Sequence, residues 1–426
     1  MDLKIHVSKK NFYWIKWSKI IFCSVLIGFV VGLVTLMFKN LVEEYEHILF
    51  SKAQSTKVMF FVLPLMGLGL IYCLRLFVFH NRKNKGISEV LEAVHFKKKL
   101  PAYKIPSHFF NGFLTVIFGG ATGIEVSTVV ATAAMGDLAS KKEPIFKKYK
   151  KEFMGAAVAT GISILFCSPL AGFFFSYENI KKQNSNVFWI SHAIGVSIAV
   201  LLMFLFDVQP LFELHFLPKI WHLQALPYFF IISLLAGIYG VYMTKIVLFS
   251  KQKFPFKNMP VLQFVTASIL IGSILFVFPH LYGDGYHTLK SFTSPQTILT
   301  FSTGLLMVLV LIKPWITGIT LAGGGDGGVF APSIFGGACL GLMIGIIVKT
   351  YFYDDVVLIN FVIMGIALTV SATLHAPFTA VFLTCGIFNN YSLILPLLIF
   401  VFVSFIVSKK IYPFTVYSIS LQKQKR

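Results

Sequence analysis

The feature that most constrains this chain is a succession of apolar runs, at about residues 19–38, 58–79, 108–124, 153–177, 188–206, 227–249, 262–281, 297–318, 328–349 and 357–408. A plain membrane-spanning helix needs roughly 20 consecutive apolar residues. The last run holds too many for one span, and glycine or proline breaks several others. The pattern predicts an all-α polytopic membrane protein with uneven, half-spanning and re-entrant helices. With 56% hydrophobic residues, 13% charged residues and a mean hydropathy of +0.79, no sizeable soluble domain fits.

The net charge of +20 is not a nucleic-acid signal here. The lysines gather in short loops and tails (Lys9–Lys19, Arg82–Lys85, Lys97–Lys99, Lys141–Lys151, Lys181–Lys182, Lys251–Lys257, Lys409–Lys410, Lys423–Arg426). That is the bias expected of loops on the cytoplasmic side, and it places both termini there, in a bacterial-type inner membrane. Residues 1–18 read as a basic amphipathic segment against the inner leaflet, anchored by Phe12, Tyr13, Trp14 and Trp17. The start runs straight into an apolar stretch and does not read as a cleavable signal. A membrane domain over 19–421 and a basic tail over 422–426 complete the division. The five cysteines are dispersed and the eleven histidines scattered, none at metal-ligand spacing, so no metal or cofactor is expected.

Within the apolar background, Gly323–Gly337 reads GGGDGGVFAPSIFGG. A glycine-rich stretch ahead of an apolar helix marks a helix beginning inside the membrane, with N–H groups and the positive end of the helix dipole free to meet an anion. Interrupted apolar segments of this kind point to a transporter's binding site. Gly119–Thr128, GGATGIEVST, places Glu125 between apolar runs, and a carboxylate there is a functional candidate because its desolvation is costly. Asn84–Glu89 runs from a basic loop through Gly86 into a helical pattern. Ser168-Pro169, among small residues, suggests close helix packing. The aromatic loop 206–225 has few basic residues and reads as external.

An internal repeat ties these stretches together. Gly123-Ile124-Glu125-Val126 corresponds to Gly328-Val329-Phe330-Ala331 at an offset of 205 (328 − 123), and Pro169 to Pro377 at 208 (377 − 169). The second offset also pairs Ala159 with Ala367, Ser163 with Ser371 and Phe174 with Phe382. Offsets near half the chain predict a two-halved transporter, the halves about 19–206 and 227–421.

Taken together, the glycine-led motifs resemble the ClC family of chloride channels and proton-coupled anion exchangers, over about residues 20–421. Gly328-Val329-Phe330-Ala331-Pro332 is similar to its GxFAP motif. Gly123-Ile124-Glu125 stands where the family has Gly-Arg/Lys-Glu-Gly-Pro, and Asn84–Glu89 where it has Gly-Ser-Gly-Ile-Pro-Glu. Asn390–Pro396, Val416-Tyr417-Ser418 and Ser168–Gly172 resemble further segments. The resemblance implies a ClC-like two-halved fold of tilted and broken helices, and a homodimer in the bilayer with one pathway per subunit for chloride or a similar small anion. It implies anion binding by Lys85, Gly86, Ile87, Val329, Phe330 and Tyr417, and an external gate at Glu125 that competes with the anion. Holding a small anion by N–H groups and dipoles, without a full counter-charge, lets it leave again.

Three departures from the family pattern matter. Lys85 replaces a serine whose hydroxyl would contact the anion, which brings an ammonium to the site mouth, into a vestibule, or toward Glu125. Val126-Ser127 replaces Gly-Pro after the gating glutamate, and Ile124 replaces the basic residue before it. Asn179, preceded by Glu178, stands where exchangers usually carry the internal proton-transfer glutamate. Glu178 and Asn179 are thus the proton-pathway positions, and an amide cannot titrate. Two rival readings remain: a fluoride-selective ClC-type exporter, suggested by the departures at the serine and after Glu125, and an intramembrane aspartyl protease built on Gly323–Asp326 and Tyr353-Asp354.

Overall fold

The computed structural model describes residues 9–82, 84–96, 98–180, 185–212 and 221–419. The first half comprises α1 (Lys9–Ser55), α2 (Met59–Cys73), α3 (Ile87–His95), α4 (Lys104–Ile117), α5 (Glu125–Ser140), α6 (Pro144–Lys148), α7 (Lys150–Leu165), α8 (Pro169–Asn179) and α9 (Asn186–Leu205). The second comprises α10 (Leu226–Lys253), α11 (Pro260–Val277), α12 (Tyr286–Lys290), α13 (Pro295–Ile298), α14 (Thr303–Ala322), α15 (Phe330–Tyr351), α16 (Leu358–Leu374), α17 (Pro377–Ile387) and α18 (Ile394–Ile411). Eight helices among the described residues are long and apolar enough to cross a membrane. The remaining apolar helices fall short, as the broken runs predict: run 153–177 splits into α7 and α8, and run 357–408 gives the short α16 and α17 ahead of the spanning α18.

The expected offsets organise the fold. α5 and α15 start 205 positions apart (330 − 125); α8 and α17 each begin on a proline and run for 11 residues, 208 apart (377 − 169). The matching helices also pack alike. In the first half Gly136 of α5 lies against α7, where an added Cβ would meet the Phe153 carbonyl at 2.6 Å. In the second, Gly341 of α15 lies against α16, where a Cβ would meet the Phe361 carbonyl at 2.0 Å. Without an aqueous driving force between helices, such close backbone approach supplies the dispersion contacts that hold a membrane core. Gly123 and Gly328, ahead of α5 and α15, cross as an isolated antiparallel bridge. The repeat-related segments therefore meet head to head at the centre.

Local chemistry sets the helix ends. Ser168 accepts the Ala171 N–H and precedes Pro169 at the start of α8; Ser185 and Ser302 cap α9 and α14 by accepting from Phe188 and Leu305, each contact being of the kind worth about 1 kcal/mol. α2 continues into a π-helical turn over Leu74–Val78. The segment expected to lie apart at residues 1–18 is, from Lys9, continuous with the first spanning helix, so α1 runs for 47 residues, roughly 70 Å at 1.5 Å per residue. The outward faces of α1 and α9 carry exposed Phe22, Met37, Leu201 and Phe204, as lipid contact requires. Residues 1–8 and the tail 420–426 lie outside the described residues.

Candidate anion pathway

Three helix starts converge on one point. Gly86 precedes α3 with φ +68°, Ile124 precedes α5, and Val329 precedes α15. Val126 joins them: an added Cβ on Gly86 would lie 3.2 Å from its Cγ1, and one on Gly328 would lie 2.1 Å from its Cγ2. Glycine is required at both positions, for the left-handed φ at Gly86 and for the close approach at Gly328. Two helix N-termini, those of α5 and α15, present partial positive charge to the same space.

Glu125 occupies that space. It is buried, and its Oε1 accepts a 2.7 Å hydrogen bond from the Tyr286 hydroxyl. Oε2 lies against Gly123, where a Cβ would come within 1.8 Å of it. Oε2 itself has no hydrogen-bond partner among the described residues. A carboxyl side chain thus sits where the two helix N-termini meet.

On the other side of Val126, Tyr417 is buried with its hydroxyl accepting the Val329 N–H at 2.9 Å. The Ser88 hydroxyl donates to the Tyr417 carbonyl at 3.1 Å, tying α3 to the closing segment. Ile87 and Phe330 are buried, the Phe330 ring stacking 6.2 Å from Phe166 and lying 5.4 Å from Phe175. The expected residues Gly86, Ile87, Glu125, Val329, Phe330 and Tyr417 are therefore brought together. Val126, seen in the sequence only as a departure, fills the gap between them and is fully buried. Tyr286 had no expectation attached to it.

Lys85 is placed differently from a site ligand. Its side chain is exposed on the wall of a vestibule of about 400 Å³ that Gly86, Gly328 and Tyr417 also line. Arg75, Lys251 and Lys257 line the same vestibule. Only the backbone N–H of Lys85 has a fixed partner among the described residues, the Glu89 carboxylate. A second vestibule, of about 660 Å³, reaches Tyr286 and is lined by Glu43, Glu46, His47 and Asp284 among others.

Glu178 and Asn179, the expected proton-pathway positions, each have fixed partners on neighbouring backbone. Glu178 accepts the N–H groups of Phe378 at 3.0 Å and Thr379 at 2.8 Å, so its carboxylate caps the start of α17. Asn179 turns back on its own helix, donating to the Phe175 carbonyl at 3.2 Å. The protease geometry is not met. Asp326 is buried, its carboxylate accepting from Asn84 and lying 3.3 Å from His108 Nδ1, while Asp354 is exposed beyond the far end of α15. The 22 residues of that helix hold the two aspartates roughly 30 Å apart. Asp326 instead fixes the loop before Val329 to the loop before Gly86.

The family model for voltage gated chloride channels matches residues 66–409. The chain is 26% identical over 408 residues to the H(+)/Cl(-) exchange transporter ClcA of Vibrio cholerae, covering 89% of this chain and 84% of that one. It is 24% identical to the voltage-gated ClC-type chloride channel ClcB of Escherichia coli over 308 residues, 71% of this chain and 72% of that one. Among solved structures, a slow cyanobacterial Cl-/H+ antiporter superimposes with a TM-score of 0.83 at 21% identity, covering 95% and 97% of the two chains. A CLC-type fluoride/proton antiporter superimposes with a TM-score of 0.78 at 18% identity, covering 96% and 98%. Motifs, repeat, fold and family match agree: this integral membrane protein belongs to the ClC family of voltage gated chloride channels and transports small anions.

Proposed function

We propose that the chain moves chloride or a similar small monovalent anion through the Gly86–Val329–Tyr417 pathway, with Glu125 as its gate. The carrying observation is the Glu125 carboxylate at the meeting of α5 and α15. Ionised, it is the anion those dipoles hold. Protonated, it loses that attraction and leaves the place to a mobile anion. The Val329 N–H, held by Tyr417 when the gate is closed, is then a donor within reach of the passing ion.

The vestibule carrying Arg75, Lys85, Lys251 and Lys257 faces the cytoplasm in this reading, by the positive-inside bias. α2 ends at that vestibule, and a short turn joins α1 to α2 at their opposite end. The start of α1 therefore lies on the cytoplasmic side in this reading, as does Tyr417, which lines the same vestibule, so we place both termini there, in a bacterial inner membrane. Lys85 acts there by concentrating anions ahead of the narrow part. Assembly as a homodimer with one pathway per subunit belongs to the same proposal.

Protons reach Glu125 from the Asp284 vestibule, but position 179 offers no carboxylate for the inner transfer. We infer looser coupling than fixed-stoichiometry exchange. Fluoride is the second reading; Val126 favours it by narrowing the pathway where the family carries glycine. One assay separates these: purified protein in liposomes, with efflux of chloride, fluoride, nitrate and sulfate recorded beside proton movement. Chloride efflux with substoichiometric proton flux supports the first reading, and fluoride efflux alone the second. No efflux of any of the four overturns both.

A further inference from the structure

The repeat has a third pair of helix starts. Gly86-Ile87 opens α3, and 199 positions on (286 − 87) Gly285-Tyr286 opens α12, both glycines having positive φ, +68° and +89°. α3 borders the basic vestibule and α12 the other one. Tyr286 is thus the outer counterpart of Ile87, and it carries a hydroxyl where Ile87 carries none.

That hydroxyl donates to Glu125 Oε1 at 2.7 Å, and the residue bearing it is fixed from several directions. The Tyr286 N–H donates to Asp284 Oδ1 at 2.7 Å. The Asp284 N–H donates to Glu46 Oε1 of α1 at 3.3 Å. The buried Lys313 ammonium of α14 donates to the carbonyls of Gly283 at 3.3 Å and Asp284 at 3.2 Å. The Tyr286 ring meets Phe212 edge-on, centroids 5.6 Å apart at 89°, and the Phe212 N–H donates to the Ile387 carbonyl at 2.9 Å. A hydroxyl held this way has little freedom to follow the carboxylate. When Glu125 moves, the bond breaks.

We propose that Tyr286 is a latch on the gate, a positioning residue whose hydroxyl holds ionised Glu125 in the anion pathway and so sets the external pH at which the pathway opens. The proposal rests on the gate reading of Glu125. A hydrogen bond donated to a carboxylate favours its charged, pathway-blocking form. The titratable and charged groups around the latch are Glu43, Glu46 and His47 of α1, His280, Asp284, His287 and Lys290 of the 279–290 segment, and Lys313 of α14. All are unchanged by Tyr286→Phe, so a difference between that variant and wild type reports the hydroxyl.

The test is anion efflux from liposomes against external pH for wild type, Tyr286→Phe, Glu125→Gln and the double variant, with size-exclusion chromatography as the check on folding. Tyr286→Phe keeps the ring on Phe212. It should raise efflux at neutral pH several-fold and move the half-activation point upward by about one pH unit. In the Glu125→Gln background, which has no carboxylate to latch, the same change should leave rate and profile unmoved. If Glu125→Gln abolishes the pH dependence while Tyr286→Phe matches wild type, the gate stands and the latch is overturned. If Glu125→Gln leaves the pH dependence intact, the gate reading itself fails. Should Tyr286→Phe not fold, Phe212→Ala loosens the ring without touching the hydroxyl. A rise in efflux, lost in the Glu125→Gln background, then supports the latch; wild-type efflux overturns it.

Discussion

Val126 presses its side chain against Gly328, its Cγ2 only 2.1 Å from where a Cβ would stand on that glycine, and the Tyr417 hydroxyl is 2.4 Å from the same point. The valine therefore fills the space between the gate and the tyrosine. Shortening it should widen the pathway without moving its donors. Val126→Gly is expected to raise anion turnover several-fold and to weaken any preference for fluoride over chloride, read as relative efflux rates. The substitution costs about 1 kcal/mol in helix propensity and a few kcal/mol more for the buried side chain it removes, so size-exclusion chromatography checks that the variant folds. Unchanged rates and selectivity would show that the valine does not border the ion's route.

Tyr417 takes up the Val329 N–H, the donor that the proposed pathway offers to a passing anion. Tyr417→Phe frees that donor and also removes the hydroxyl from the anion's surroundings. Equilibrium chloride binding measured by calorimetry in the Glu125→Gln background, where the gate carboxylate no longer competes, should weaken several-fold if the hydroxyl contacts the ion. Tighter binding would mean that Tyr417 acts mainly as a competitor for the amide.

Glu178 caps α17 across 200 positions of sequence. Glu178→Ala removes acceptors from two helix N–H groups, and losing a helix cap costs about 1–2 kcal/mol. Thermal unfolding in detergent should fall by several degrees, while the ratio of protons to anions moved stays at the wild-type value. A changed ratio would return Glu178 to the proton pathway.

Lys85 stands exposed on the wall of the vestibule that Tyr417 also lines. Lys85→Ser should slow transport at low salt and lose its effect as the Debye length shrinks from about 10 Å at 0.1 M toward 3 Å at 1 M. Its effect should add to that of Glu125→Gln. A loss of anion affinity that persists at 1 M salt would instead place the ammonium in the binding site.

How far the sequence carries depends on how local each signal is. The starts of α5, α8, α15 and α17 are written in adjacent residues: glycines before Glu125 and Phe330, prolines at 169 and 377. The repeat offsets then bring Gly123 to Gly328, and the structure joins these two residues by a bridge. Tyr286 was illegible because the stretch YGDGYHTLK reads as a polar loop and its helix has five residues. Only the glycine at 285, matched to Gly86 through the repeat, marks it. The capping role of Glu178 was illegible for the opposite reason. A motif assigned it by its neighbour in the chain, whereas its partners Phe378 and Thr379 come from the other half of the fold. Likewise the aspartates at 326 and 354 are near in sequence and separated in space by a rigid helix.

Whether the carboxylate of Glu125 closes an anion pathway by occupying it is tested most directly by chloride efflux from liposomes against external pH in wild type and Glu125→Gln. Wild-type efflux should rise as external pH falls, because protonation releases the carboxylate from the helix starts. The variant should be fast at every pH, with most of that dependence gone. A Glu125→Gln protein whose efflux keeps the wild-type pH profile would contradict the gating role of Glu125.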